Sequence, residues 1–173
     1  AFKNCRNLQE ITLPFVGSSR DANGTADAVL GYVFGESITS DSGTTKQYYS
    51  TSSYYYIPTS LKKVIITDTT QIPAGAFYNC VSLTSITIPN NVITIDKNAF
   101  YNCSSLTDIT IPSSVTSIGE SAFNYCKNLV NITIPERTIS IGTDAFSNCE
   151  KLTTVNYNST NVALLLILTS EKM

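Results

Sequence analysis

The chain has 173 residues, 42% of them hydrophobic, enough for one domain with a sizeable core. Eleven basic and thirteen acidic residues leave a net charge of −2, and Lys62–Lys63 is the only basic pair, so the concentrated positive face that nucleic acid requires is missing. Histidine is absent, which removes His-based triads, zinc–histidine sites and imidazole bases.

Only 14% of residues are charged, against about 25% in typical domains. The polar surface must therefore be built from Ser, Thr, Asn and Tyr, a composition common in secreted and cell-surface proteins.

In chain order, Ala1-Phe2 already lies inside a repeat and no initiator Met precedes it, so the chain reads as a fragment of a longer protein, forming one domain over residues 1–173. Leu8, Ile11 and Leu13 fall at the first, fourth and sixth places of a segment whose end alternates as on a strand with one buried face, and Pro14 ends it.

The next copy of that segment starts at Leu61, 53 residues after Leu8, where one repeat of 23 would be expected. About 30 extra residues therefore interrupt one coil, and residues 15–60 are read as a tyrosine-rich insertion. Within it, Ala26, Val29, Leu30, Val33 and Phe34 stand at helical spacing with Gly35 as a stop. Residues 47–56 read as two tyrosine-rich strands around a polar turn. Six of the ten tyrosines lie in the insertion, and tyrosine gives large contact area at low entropic cost. The same rings also suit packing of the insertion onto the rest.

From Leu61 the pattern is regular. Phe77, Phe100, Phe123 and Phe146 are spaced by 23, as are Cys80, Cys103, Cys126 and Cys149, and Leu83, Leu106, Leu129 and Leu152. Six coils are visible, a solenoid in which each repeat packs on its neighbours. The stretch around each Ala-Phe pair reads as a short helical turn, and pairs such as Val92 with Ile95 read as a second short extended segment. Residues 158–173, with the apolar run Val162 to Leu168, read as a capping segment; seven apolar residues are too few for a bilayer, which needs about 20. No membrane insertion is expected.

The string Ile-x-x-x-Ala-Phe-x-x-Cys-x-x-Leu-x-x-Ile-x-Ile-Pro, running in full copies from Ile72 to Pro135, resembles the BspA-type leucine-rich repeat. A fourth copy loses its proline at Tyr157, and partial copies lie at Ala1 to Pro14 and Leu61 to Ile66. The resemblance implies a leucine-rich-repeat solenoid, a right-handed β/α-type superhelix with a parallel sheet on one face and short helical turns on the other. It also implies a cell-surface or secreted protein, bacterial or from a parasite, that adheres to a host or matrix protein.

Chemistry of other kinds has little support. No Gly-rich phosphate loop occurs, and Asp96, Asp108, Glu120, Glu136 and Asp144 occupy different places in their repeats. No enzyme activity, cofactor or metal is expected. The five cysteines follow the repeat without any Cys-x-x-Cys pair, and coils about 4.8 Å apart hold equivalent Cβ atoms too far apart for a bridge. They read as small buried hydrophobes. Sequons at Asn23, Asn102, Asn131 and Asn158 matter only in a eukaryotic source.

Residues between the apolar strand positions should point outward in two columns: Glu10, Lys63, Ser85, Asp108, Asn131, Thr154, and Thr12, Ile65, Thr87, Thr110, Thr133, Asn156. The expected function is a non-catalytic protein-binding module, the alternative a structural spacer without a ligand. The candidate site joins Tyr48, Tyr49, Tyr54 and Tyr55 of the insertion to Lys63, Ser85, Thr87, Asp108, Thr110, Asn131 and Thr133 of the strand face. The insertion is expected to be dispensable for stacking.

Overall fold

The computed structural model describes residues 2–20, 28–35, 43–50 and 53–157, with the backbone alone at 48–50 and 53–54. Eleven strands appear in these residues: β1 (Glu10–Leu13), β2 (Thr44–Ser50), β3 (Ser53–Pro58), β4 (Lys63–Ile66), β5 (Gln71–Ile72), β6 (Ser85–Thr87), β7 (Thr94–Ile95), β8 (Ser117–Ile118), β9 (Asn131–Ile134), β10 (Ser140–Ile141) and β11 (Thr154–Tyr157). They wind into a parallel-sheet solenoid whose coils have three sides.

On the first side, β1, β4 and β6 form one parallel sheet and β9 and β11 another. Ile11 lies opposite Val64, which lies opposite Ile86, so a buried apolar column runs from coil to coil. Period-2 alternation sends the intervening residues outward. Between the two sheets, Leu106, Ile109 and Ile111 keep their buried places, but residues 106–111 are not a strand. There the amide of Val130 reaches the carbonyl of Thr107 at 3.3 Å.

On the lateral side, β5, β7, β8 and β10 form a four-stranded parallel sheet through which Ile72, Ile95, Ile118 and Ile141 follow one another.

The third side is made of turns, and the expected helical turns are absent. Two positions in each turn adopt left-handed φ: Gly75, Asn98, Ser121 and Asp144 at one, Asn79, Asn102, Tyr125 and Asn148 at the other. A left-handed residue ends helical propagation, and Gly and Asn tolerate it best. Alternate amides then leave the turn for the next coil, Phe77 to the carbonyl of Ala99 at 2.7 Å, Phe100 to Ala122 at 2.7 Å and Phe123 to Ala145 at 2.8 Å. The rings of Phe77, Phe100, Phe123 and Phe146 stack at 5.2, 4.9 and 5.4 Å, and the first three are wholly buried.

The insertion supplies a missing turn. Its helix is 3-10 rather than α, spans Leu30–Phe34, and ends at Gly35 with φ 84°. Ala26 lies outside the described residues. Leu30 donates to the carbonyl of Ala76 at 2.8 Å, and the carbonyl of Val33 accepts from Phe2 at 3.0 Å. This short helix thus bridges the first and third turns of the stack. The insertion joins the stack by backbone bonds to both of these turns.

The strands β2 and β3 form the expected antiparallel hairpin, with Gln47 opposite Tyr55 and Tyr48 opposite Tyr54. Its inner face docks on the helix and on the turn side. The Gln47 side chain, fully buried, accepts from the Gly31 amide at 2.6 Å and donates to the Ala76 carbonyl at 3.2 Å. A side chain at Gly31 has no room, since a Cβ there would lie 2.2 Å from that of Tyr55. Asn79 adds a 2.6 Å bond to the Lys46 carbonyl.

Candidate interaction surfaces

The open strand face carries most of the predicted site residues. Register sets Glu10, Lys63 and Ser85 side by side, then Thr12, Ile65 and Thr87, and at the far end Asn131 beside Thr154 and Thr133 beside Asn156. Asp108 and Thr110 occupy the same outward places on the non-strand segment between them. Thr87, Asp108, Thr110, Asn131 and Thr133 are exposed, and Lys63 and Ser85 are half-buried. A third outward column, Thr84, Thr107, Val130 and Thr153, adds three exposed hydroxyls to the face and places Val130 among them.

Charge on this face is confined to a few positions. Lys63 meets Glu10 at 3.3 Å, which links the first two coils and leaves hydroxyls and amides as the main polar groups beyond Ser85. Other ion pairs also join successive coils, Lys97 to Glu120 at 2.9 Å and Lys127 to Glu150 at 2.7 Å. Arg20 grips Asp68, with Nη1 2.7 Å from Oδ1, and this hydrogen bond holds the Asp68 carboxyl below its usual range. Burial pushes Asp96 the other way, opposed by a hydrogen bond with Thr94.

The hairpin residues divide. Tyr55 is 4% exposed and meets Tyr32 edge-on at 6.2 Å, so its ring packs the hairpin onto the helix and is not offered to a partner. The side chains of Tyr48, Tyr49 and Tyr54 lie outside what is described. The hairpin packs on the 3-10 helix and, through Gln47 and Asn79, on the turn side.

Two features of the turn side escaped the sequence reading. One is Gln47, whose polar side chain sits among tyrosines and marks the docking face. The other is the order Asn124-Tyr125, which reverses the Tyr-Asn order of the two preceding coils. Tyr78 and Tyr101 stack at 4.9 Å, and Asn102 donates to Asn79 at 2.7 Å, but the reversal places Tyr125 at the left-handed position. Its ring tilts by 60° from Tyr101 and lies 5.9 Å from the Lys127 ammonium.

The cysteines are all free thiols. Cys103, Cys126 and Cys149 each donate to the phenylalanine carbonyl of the preceding coil, at 3.2, 3.3 and 3.2 Å. Burial raises the pKa of Cys80, Cys103 and Cys126 well above the ordinary thiol value, and that of Cys149 to about 11. Cys5 departs from the expectation, for it is exposed. Among the described residues there is no cluster of metal-ligating side chains, and no helix is long and apolar enough to cross a membrane.

A cleft lined by Phe2, Lys3, Arg6, Phe34 and Tyr56 separates the first turn from the hairpin.

No curated protein matches the chain. Among solved structures, a leucine-rich-repeat protein of T. pallidum is 34% identical with a TM-score of 0.55, the match covering 56% of this chain and 45% of that one. A leucine-rich-repeat protein from Bacteroides ovatus is 25% identical with a TM-score of 0.57, over 86% of this chain and 33% of that one. A leucine-rich cell surface protein from Faecalibacterium prausnitzii, at 22% identity and a TM-score of 0.61, shares the fold over 93% of this chain and 51% of its own. The chain thus spans from a third to about half of these proteins. The BspA type leucine rich repeat region matches in six copies over residues 49–164. This chain belongs to the BspA-type leucine-rich-repeat family.

Proposed function

We propose that the chain is a non-catalytic, protein-binding module of a cell-surface or secreted protein, and that its partner is a host or matrix protein met by the open strand face. The observation that carries this reading is the run of exposed outward residues Thr87, Asp108, Thr110, Asn131 and Thr133 across successive coils, supported on a rigid stack. Repeat surfaces of this kind present one long, regularly spaced face. Family membership and the cell-surface relative support the compartment.

Tyr48, Tyr49 and Tyr54 stand as a separate contact region on the hairpin, while Tyr55 contributes by holding that hairpin in place.

The reading is tested by binding to immobilised extracellular-matrix proteins. Thr110→Arg and Asn131→Arg should weaken binding at least about tenfold, as large substituents in the centre of an interface do. Ile139→Arg on the lateral side should leave it unchanged. If the face variants bind as the parent does, the site lies elsewhere; if the parent binds no matrix protein at all, the spacer reading replaces the adhesive one.

A further inference from the structure

One coil in the middle of the stack is closed on two sides and open on the third. On its turn side, Asn79 donates to the carbonyl of Tyr101 at 2.8 Å, and Phe100 and Asn102 donate to Ala122 and Asn124 at 2.7 and 2.8 Å. On its lateral side, Thr116 and Gly119 reach Ile93 and Ile95 at 2.8 and 2.7 Å, and Ile139 and Gly142 reach Thr116 and Ile118 at 2.9 and 2.8 Å. On the strand side, among the described residues, the only hydrogen bond to residues 107–111 is the 3.3 Å one from the Val130 amide to the Thr107 carbonyl.

Burial follows the same gap. Ile109 and Ile111 are 4% and 6% exposed, and Ile86 and Ile88 beside them 5% and 7%, against 1% and 0% for Ile132 and Ile134.

A single residue separates the segment that pairs from the one that does not. Ser82 to Pro89 reads Ser-Leu-Thr-Ser-Ile-Thr-Ile-Pro, and Ser105 to Pro112 reads Ser-Leu-Thr-Asp-Ile-Thr-Ile-Pro. They differ only at Ser85 and Asp108, yet Ser85–Thr87 is β6, in register with β4, and residues 106–111 are not a strand. Aspartate is depleted in strands, because its side chain competes for nearby backbone amides. In a closed ladder Asp108 would stand between Ser85 and Asn131, and neither offers a counter-charge. Its exposed carboxylate makes no ion pair among the described residues.

We propose that Asp108 makes this coil a hinge, at which the strand side opens and closes about residues 107–111 while the turn and lateral sides serve as a fixed spine. The outward residues then form two plates, Lys63, Ser85 and Thr87 on one side and Asn131 and Thr133 on the other. The angle between the plates changes as the ladder opens and forms. Hydrogen bonds that merely replace bonds to solvent contribute little net, so the two arrangements lie close in free energy. The hinge rests on the backbone and on Asp108, whether or not the face meets a partner.

Hydrogen exchange of the 173-residue chain tests this directly. Val64, Ile109 and Ile132 hold the same place in their coils, the first and last in paired strands. The Ile109 amide should be at least about tenfold less protected than those of Val64 and Ile132, and than those of Phe100 and Gly119 on the spine. Asp108→Ser, which gives the segment its neighbour's sequence, should raise protection at Ile109 about threefold or more and leave Phe100 and Gly119 as they were. Equal protection of Ile109 and Ile132 in the parent chain overturns the hinge, since the ladder would then be continuous. Exchange of Phe100 as fast as that of Ile109 overturns it too, because the whole coil would be opening. Unchanged protection of Ile109 in Asp108→Ser overturns the role given to Asp108.

Discussion

The amide of Leu30 donates to the carbonyl of Ala76 at 2.8 Å, the bond that Phe77 makes to Ala99 one coil later. A residue from an apparently foreign insertion thus occupies the repeat's own hydrogen-bonding place, and Gln47 secures it by holding the same carbonyl and the Gly31 amide.

Gln47→Ala should therefore destabilise the fold by about 1–3 kcal/mol, because it leaves a buried amide without its side-chain acceptor. Chemical denaturation measures the loss. A change below about 0.5 kcal/mol would show that the hairpin docks without this bond.

Interior ring stacking gives a second expectation. Phe100→Ala removes a wholly buried ring with neighbours on both sides and should cost about 3–5 kcal/mol. Thr87→Ala and Thr110→Ala, at exposed places, should each cost under about 1 kcal/mol. Equal losses at both kinds of site would contradict the inward and outward assignment.

Tyr125 offers a stabilising change. It holds φ 61° where the other coils place asparagine, and asparagine tolerates this conformation better. Tyr125→Asn should raise stability by up to about 1 kcal/mol, read as a higher melting temperature. A lower one would mean that the ring's contact with Lys127 outweighs the backbone term.

Thiol chemistry separates the coils. Native alkylation should label Cys5 fast, Cys149 slowly, and Cys80, Cys103 and Cys126 only after unfolding. Mass spectrometry should find five reduced thiols. Because burial raises the folded pKa values, the unfolded chain loses these protons first as pH climbs past about 8.5. Stability should then fall by roughly 1.4 kcal/mol per pH unit for each such thiol. Cys126→Ala should flatten that slope by one such contribution, and an unchanged slope would remove the cause.

The coil was plain in the sequence because stacking demands the same residue at the same place: Phe77, Cys80, Leu83 and Ile86 each meet their own kind 23 positions on. The turn conformation was less plain. Ala-Phe-Tyr-Asn-Cys has helical spacing, and only the recurrent Asn79, Asn102 and Asn148, with Asn98 and Gly75, mark the left-handed residues that prevent a helix. The insertion's role was hidden for a different reason. Leu30 earns its place through a backbone bond, which has no side-chain signature, and the burial of Tyr55 depends on the missing side chain of Gly31. The outward strand residues were placed by alternation alone, whereas the docking of the hairpin follows from packing on the turn side.

Stacked rings 4.9 to 5.4 Å apart also make the solenoid a ruler. Each 23-residue block adds about that rise between the hairpin and the far end, and neighbouring blocks offer nearly the same contacts. Removing the block from Phe100 to Ala122 would bring Phe77 onto Phe123 and shorten the reach by one step. The spacing between the hairpin and whatever the far end carries can thus be altered in fixed increments by gain or loss of whole repeats, while the contact surface of each remaining coil stays the same.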